Sequence, residues 1–319
     1  MAVLDLIIIG AGPAGLTAAQ YGARANLKVL VIEQLSVGGQ ALIIDVLENY
    51  PGNIGQTDIS GKEAKPKSGY EFAIDLHRQA ESFGASIIIN KVKSIIKIDK
   101  YFEVFLDDGS THLAPVVIIA TGAKPRLLDI PGETDFSGRG VSYCATCDGN
   151  FFKGKKIFVV GGGDAACDEA RYLSNLTSKV ILVHRRDSFR AQKALAARTL
   201  ENPNIEVRFN TVIEKIKGAQ KVTAVVLKKT DKGEVYEEEA DAVFIFAGTV
   251  PQTTVINDLN IEKNEDGYII TNHKMETSMQ GIYAAGDVRA GAFRQVVTAA
   301  ADGAVAAHNA AKYIDEMNN

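Results

Sequence analysis

The chain has 319 residues, of which 46% are hydrophobic and 23% are charged, so its length and composition are typical of a globular protein with about two domains. Its net charge of −4 argues against a nucleic-acid partner, because duplex binding normally needs a basic face that releases counterions. Three cysteines are too few for a disulfide-stapled secreted fold, and no apolar stretch approaches the ~20 residues of a membrane-spanning helix, so we expect a cytoplasmic protein with no membrane segment.

The first predicted strand leads directly into a glycine-rich turn. Residues 7–15 are a β-rich run followed by Gly-x-Gly-x-x-Gly. In a βαβ unit the first glycine permits the tight turn, the second lets the backbone approach a pyrophosphate, and the third allows close helix–strand packing. The next predicted strand, residues 28–33, ends in Glu33, a carboxylate placed to accept hydrogen bonds from ribose hydroxyls. This unit predicts a site for an adenine dinucleotide that has no 2′-phosphate.

A pair of cysteines, Cys144 and Cys147, has Cys-x-x-Cys spacing and is followed at once by Asp148. A zinc site needs about four ligands, and one further cysteine with five scattered histidines does not complete one. A Cys-x-x-Cys near a helix start favours the thiolate, so reversible disulfide exchange is our leading interpretation, with a structural pair of buried thiols as the alternative. Asp148 is the candidate donor of the proton that a leaving sulfur needs.

The glycine turn and its second strand occur again later in the chain, at a constant offset. Residues 158–166 repeat the β-rich run and end in Gly-x-Gly-x-x-Ala, and residues 179–184 repeat the second strand. Where the first unit has Glu33, the second has His184-Arg185-Arg186, with Arg190 close behind. Guanidinium groups match phosphate bidentately, so this cluster predicts a 2′-phosphate pocket and hence NADP(H); a solvated basic loop is the alternative.

Domain boundaries follow from a further repeat, since residues 116–125 and 242–251 are both hydrophobic strands that end in Gly-x-x-Pro. We interpret them as two crossings between domains, because proline after a strand stops its pairing. The predicted fold is α/β, with two Rossmann-like domains, one at 1–122 and 250–319 and the other, which carries the dithiol, inserted at 123–249. The returning segment has a strand that ends in Gly286-Asp287, either a ligand-binding turn or a plain one, and then a helix over about 294–313.

Together these motifs resemble the low-molecular-weight thioredoxin reductases of the bacterial type over nearly the whole chain. The most specific element is residues 142–149 (SYCATCDG). Supporting motifs are Gly38-Gly39-Gln40, residues 48–52 (ENYPG), residues 161–166 (GGGDAA), residues 184–191 (HRRDSFRA), and Gly286-Asp287 with Arg294-Gln295. The resemblance implies a homodimeric enzyme with separate FAD and NADPH domains that reduces the disulfide of thioredoxin and so sustains the thiol balance of the cell.

The resemblance also implies roles for individual residues. Cys147 would face the flavin, Cys144 would attack thioredoxin, and Asp148 would protonate sulfur, with one domain rotating against the other between steps. The implied FAD residues are Gly10, Gly12, Pro13, Ala14, Gly15, Glu33, Gln34, Gly39, Gln40, Asn49, Gly122, Gly286, Asp287, Arg294, Gln295 and Val296. The implied NADPH residues are Gly161, Gly163, Asp164, Ala165, His184, Arg185, Arg186 and Arg190.

The electron acceptor and the loop after Gly52 each have two interpretations. The electron acceptor is expected to be thioredoxin, but another small disulfide carrier is the alternative. Residues 53–69 form a longer loop than the resemblance leads us to expect, either a solvated surface loop or, through Lys62, Lys65 and Lys67, a dock for an acidic partner.

Overall fold

The computed structural model describes residues 4–44, 47, 49–53 and 66–318. Most of the loop at 53–69 therefore lies outside the described residues, including Lys62 and Lys65, as does Glu48. Lys67 is described, and its ammonium pairs with the Asp75 carboxylate. The chain divides into two compact units, one made of Met1–Lys124 with Val250–Asn319 and the other of Pro125–Thr249.

The first part of the chain builds most of the first unit. Its helices and strands are β1 (Leu6–Ile9), α1 (Pro13–Arg24), β2 (Val29–Glu33), α2 (Gly69–Ser82), β3 (Ser86–Ile89), β4 (Val92–Ile98), β5 (Tyr101–Leu106), β6 (Thr111–Ala114), β7 (Val116–Ile119) and β8 (Ala123–Pro125). Strands β4, β5 and β6 form an antiparallel sheet. Strand β1 is an unbroken apolar run buried along its whole length, as expected for a parallel strand covered on both faces.

The inserted unit has the same plan. Its helices and strands are β9 (Val141–Ser142), α3 (Ala145–Asp148), β10 (Ile157–Val160), α4 (Asp164–Ser174), β11 (Val180–Val183), α5 (Lys193–Leu200), β12 (Ile205–Arg208), β13 (Thr211–Gly218), β14 (Val222–Lys229), β15 (Val235–Glu239) and β16 (Ala242–Ile245). A parallel sheet runs in the order β12-β11-β10-β16-β9, and β13, β14 and β15 form an antiparallel meander.

The remaining elements, β17 (Thr249–Pro251), β18 (Ile282–Ala284) and α6 (Val296–Asn318), return the chain to the first unit. Strand β18 completes a parallel sheet of order β18-β7-β1-β2-β3. The two crossing strands, β8 and β17, pair with each other. Pro125 and Pro251 follow the hydrophobic strands β7 and β16, as expected, but each also ends a short additional strand, β8 or β17, that was not predicted. Helix α6 begins two residues later than predicted and runs on to Asn318.

Each parallel sheet lies between helices and an antiparallel sheet. In β1, Leu6 and Ile8 pack against α1, α2 and α6, whereas Ile7 and Ile9 pack against β4 and β5. In the inserted unit, Ile157 packs with residues of α4 and Phe158 packs against the meander. The predicted α/β fold, with one parallel-sheet unit inserted into another, is confirmed. No helix in the described part of the chain is long and apolar enough to cross a membrane.

Candidate functional site

The first glycine turn joins β1 to α1, and its three glycines have different surroundings. Gly10 has φ +102°, and a Cβ there would lie 2.4 Å from the carbonyl oxygen of Ala120. A Cβ at Gly15 would lie 1.8 Å from the carbonyl oxygen of Gly10. Gly12 has an ordinary extended backbone, and a Cβ there would meet nothing within 4 Å. The fold therefore requires the first and third glycines, whereas the second faces open space at the N-terminus of α1, where backbone amides suit an anion.

Glu33, at the end of β2, is bonded to the backbone around this turn. Its Oε2 accepts a hydrogen bond from the Ala11 amide at 2.7 Å, and its Oε1 accepts one from the Leu35 amide at 2.9 Å. A carboxylate has about four lone-pair sites, so each oxygen can still accept from a ligand hydroxyl. Glu33 thus also holds the turn in shape, a role that the sequence did not predict.

Several other predicted FAD residues lie near this turn or pair with one another. A Cβ at Gly39 would lie 3.2 Å from Gly12 Cα, and one at Gly286 would lie 2.9 Å from Ala14 Cβ, so both backbones approach the turn closely. Asn49 Nδ2 donates to Gln295 Oε1 at 2.9 Å. Gln40 Nε2 donates to the carbonyl of Ala123, next to Gly122. Gln34 is exposed.

The Gly286-Asp287 turn is supported by a charged network. Asp302 Oδ2 accepts from the Gly286 amide at 3.1 Å, and the Asp302 carboxylate is bidentate with Arg289, at 2.8 and 3.1 Å. Burial raises the pKa of Asp287 to about 6; the positive charge of Arg294 opposes the shift and Asp302 adds to it. Asp302 was not among the predicted site residues, although it stands alone among alanines in a stretch of helix that is otherwise apolar, where a charged residue needs a partner.

Arg294 has a left-handed backbone, and its guanidinium lies over an aromatic ring. Its φ is 59°, an uncommon value for a residue with a side chain. The guanidinium carbon lies 4.7 Å from the centre of the Tyr268 ring, within cation–π distance. Two residues later Val296 begins α6.

The two cysteines of the Cys-x-x-Cys segment form a disulfide at the start of the four-residue helix α3. Cys144 Sγ accepts from the Cys147 amide at 3.2 Å and lies 3.4 Å from Thr146 Oγ1. Asp148 Oδ2 accepts from Ser142 Oγ at 2.6 Å. The third cysteine, Cys167, is buried in α4 and has a free thiol.

The second glycine turn, between β10 and α4, repeats the pattern of the first. A Cβ at Gly161 would lie 2.4 Å from Ala166 Cβ, whereas one at Gly163 would meet nothing within 4 Å. The segment that follows β11 lies against this turn: the Arg190 amide donates to the Gly162 carbonyl at 2.7 Å, and Asp164 Oδ1 accepts from the Gln192 amide at 2.7 Å. Ala165, in the first turn of α4, is exposed.

His184 differs from the three arginines with which it was predicted to act. It is 6% exposed, and a Cβ at Gly162 would lie 2.2 Å from its ring, so the imidazole packs on the glycine turn. Burial lowers the pKa of His184, and the charges of Arg190, Arg186 and Arg185 lower it further. The three arginines are exposed. The structure therefore places a buried imidazole, whose pKa is lowered, beneath the turn and an exposed basic cluster beside it.

The chain matches the profile of the pyridine nucleotide-disulphide oxidoreductase family over residues 4–303. It belongs to this family. The oxidoreductase is 54% identical over 315 residues to the thioredoxin reductase of Treponema pallidum (strain Nichols), with 99% of this chain and 98% of the relative covered. It is 44% identical over 316 residues to the thioredoxin reductase of Bacillus subtilis (strain 168), with 99% and 96% covered. The solved thioredoxin reductase from Streptococcus pyogenes MGAS5005 has a TM-score of 0.87 at 42% identity, with 99% of each chain covered.

Family membership confirms the predicted enzyme class and cofactors. The oxidoreductase is an NADPH-dependent flavoprotein disulfide oxidoreductase that uses FAD and NADPH, built on two Rossmann-like domains. The described residues fit both cofactors. Each glycine turn keeps one face open at its second glycine, Gly12 or Gly163. The strand after the first turn ends in a carboxylate, and the strand after the second leads into exposed arginines.

Proposed function

We propose that this oxidoreductase is a thioredoxin-disulfide reductase. The observation that carries the proposal is the Cys144–Cys147 disulfide. The Asp148 carboxylate is linked to Cys144 by two hydrogen bonds, because the Ser142 hydroxyl contacts both residues. The same unit has the arginine-flanked glycine turn. The net reaction converts NADPH, one proton and thioredoxin disulfide into NADP⁺ and thioredoxin dithiol. The named relatives support thioredoxin as the acceptor.

The proposed domain assignment follows the predicted boundaries. Residues 1–122 and 250–319 would bind FAD through the first glycine turn, Glu33 and the Gly286-Asp287 turn. Residues 123–249 would bind NADPH through the second glycine turn, with Arg185, Arg186 and Arg190 around the 2′-phosphate. FAD, when bound, supplies a two-electron carrier between the nicotinamide and the disulfide.

The residues around the disulfide support distinct roles for the two sulfurs. The Cys147 amide donates to Cys144 Sγ, and such a donor stabilises a thiolate on that sulfur. We propose that Cys144 is the thiolate that attacks thioredoxin, that Cys147 exchanges electrons with the flavin, and that Asp148 donates the proton to sulfur. The enzyme would act in the cytoplasm as a homodimer, without a nucleic-acid or membrane partner; light scattering on the purified protein tests the dimer.

The deciding experiment is NADPH oxidation by the purified holoenzyme with oxidised thioredoxin from the same cell. Turnover should require thioredoxin and both cysteines, so Cys144→Ser and Cys147→Ser should each abolish it. Cys167→Ser is the matched control, because Cys167 is a buried free thiol outside the disulfide, and it should keep full activity. If NADPH reduces the flavin while thioredoxin stays oxidised, the acceptor is another small disulfide carrier and the proposal is wrong.

A further inference from the structure

One buried hydroxyl joins the sheet of the inserted unit to the disulfide loop. Ser142 is the last residue of β9, and its pairing with Phe244 fixes its backbone in the parallel sheet. The residue is 5% exposed. Its position therefore depends on the sheet and not on the disulfide.

The hydroxyl of Ser142 contacts both the first cysteine and the carboxylate. Its oxygen accepts from the Cys144 amide at 3.1 Å and donates to Asp148 Oδ2 at 2.6 Å. It also lies 3.3 Å from the Cys144 carbonyl oxygen. A distance of 2.6 Å is typical of a charge-assisted hydrogen bond from a hydroxyl to a carboxylate.

We propose that Ser142 is a positioning residue, which holds the Asp148 carboxyl group in the orientation needed to protonate the leaving sulfur. The inference rests on the proposed function for the role of Asp148. When two electrons enter the disulfide, the S–S bond breaks, and the two sulfurs need one proton each to become thiols. Asp148 gives one of these protons to the leaving sulfur, solvent gives the other, and Asp148 is then reprotonated by solvent. The Cys144 thiol loses its proton again before it attacks thioredoxin as a thiolate.

The reason that such support is needed lies in the size of α3. This helix has four residues, and the disulfide crosslinks its first turn, so the crosslink disappears at the moment when the proton must be delivered. A carboxyl group held only by that loop gains rotational freedom at this step, and misplacement of a catalytic group is costly in rate. Ser142 stays in the sheet before and after the bond breaks.

The test is a double-mutant cycle on the purified holoenzyme, with Ser142→Ala, Asp148→Asn and both together. Two rates are measured: the opening of the disulfide by dithiothreitol, followed by alkylation of the new thiols, and kcat with thioredoxin. In the first assay one dithiothreitol supplies both electrons and becomes a cyclic disulfide while Cys144 and Cys147 become thiols. Thus this assay needs neither NADPH nor thioredoxin.

We expect Ser142→Ala to slow both rates by about tenfold, because it would remove only part of the roughly 10²–10⁴-fold that a positioned acid contributes, and to leave the KM for thioredoxin within about twofold. The double variant should be no slower than Asp148→Asn, because Ser142 acts through Asp148. Ser142→Thr keeps the hydroxyl and should restore part of the rate. Ser174→Ala is the matched control, since Ser174 has a buried hydroxyl with two hydrogen bonds in the same unit and should leave both rates unchanged.

Two results would overturn the inference: wild-type rates in Ser142→Ala, or losses in the single variants that multiply in the double variant. Multiplying losses would mean that Ser142 supports the loop independently of Asp148. If the wild type does not reduce thioredoxin at all, the proposed function fails, but the dithiothreitol cycle still decides whether Ser142 acts through Asp148.

Discussion

The contrast between Gly12 and Gly15 separates a glycine needed by the ligand from one needed by the fold. Gly15→Ala places a Cβ 1.8 Å from one backbone atom of Gly10 and 2.9 Å from another, so the backbone must move. Such overpacking costs about 1 to 3 kcal/mol or more, and the better helix propensity of alanine returns about 1 kcal/mol. Because the clash is with backbone atoms, its cost lies at the upper end of this range, so we expect Gly15→Ala to lower the free energy of unfolding by about 2 kcal/mol.

Gly12→Ala should have the opposite profile. The alanine fits the backbone conformation, and its Cβ meets no atom of the described residues within 4 Å, so its cost is that of a poorer N-cap, about 1 kcal/mol at most. Its methyl group occupies the open face through which a pyrophosphate would approach α1. We expect the affinity for FAD to fall by at least about tenfold, which is about 1.4 kcal/mol of binding free energy.

The assays are urea unfolding of the flavin-free protein and titration with FAD, followed by the quenching of flavin fluorescence. Gly163→Ala supplies an internal control, because Gly163 has equally open surroundings in the other unit. It should weaken NADPH binding and leave FAD binding unchanged. The reasoning is refuted if Gly12→Ala binds FAD like the wild type, or if it loses as much stability as Gly15→Ala.

Three further outcomes are expected. Replacing both Arg185 and Arg186 by alanine should raise the Kd for NADPH at least about tenfold more than the Kd for NADH. An equal rise for both coenzymes would refute the 2′-phosphate pocket. Burial raises the pKa of Asp287 to about 6, so its contribution to the stability of the flavin-free protein, about 3 kcal/mol, should be complete below its ordinary pKa of 3.8 and be lost as pH rises through 6. In urea unfolding, Asp287→Asn should remove this fall in stability between pH 3.8 and 6. An equal fall in the variant and the wild type would contradict the prediction. Arg289→Met, which leaves the Asp302 carboxylate unpaired beside Gly286, should weaken FAD binding about tenfold, whereas Arg208→Met, which breaks a comparable pair in the inserted unit, should not.

The main-chain plan of the protein could be predicted because its signals are local. Unbroken apolar runs such as Leu6–Ile9 indicate strands covered on both faces, and glycine spacing indicates the turns that follow them. The repeat of both signals indicated a second unit, and the paired Gly-x-x-Pro segments indicated where it is inserted. None of these inferences needs knowledge of which side chains meet.

The supporting side chains could not be predicted, because each acts through contacts that exist only once the chain has folded. Asp302 is 16 residues from Gly286 and 13 residues from Arg289, and only the packing of α6 brings it to that turn. Ser142 is close in sequence to Asp148, but only the start of α3 folds the loop back so that the two meet. A sequence pattern identifies residue types suited to a ligand, whereas such contacts depend on how elements pack.

The two nucleotide units solve the same structural problem in different ways, and this difference bears on coenzyme choice. In both units a residue at the end of the second strand supports the glycine turn. Glu33, the last residue of β2, accepts a hydrogen bond from the Ala11 amide, and His184, which follows β11, packs on Gly162. Glu33 keeps lone pairs, so in the proposed FAD site the support of the turn and the recognition of a ribose would coincide in one carboxylate. His184 is buried and favoured in its neutral form, so it offers no charge to a phosphate; in the proposed NADPH site, recognition of the 2′-phosphate would fall to the exposed arginines beside it. Replacing those arginines should therefore change the choice between NADPH and NADH without disturbing the turn, whereas replacing His184 should disturb the turn and weaken both coenzymes alike.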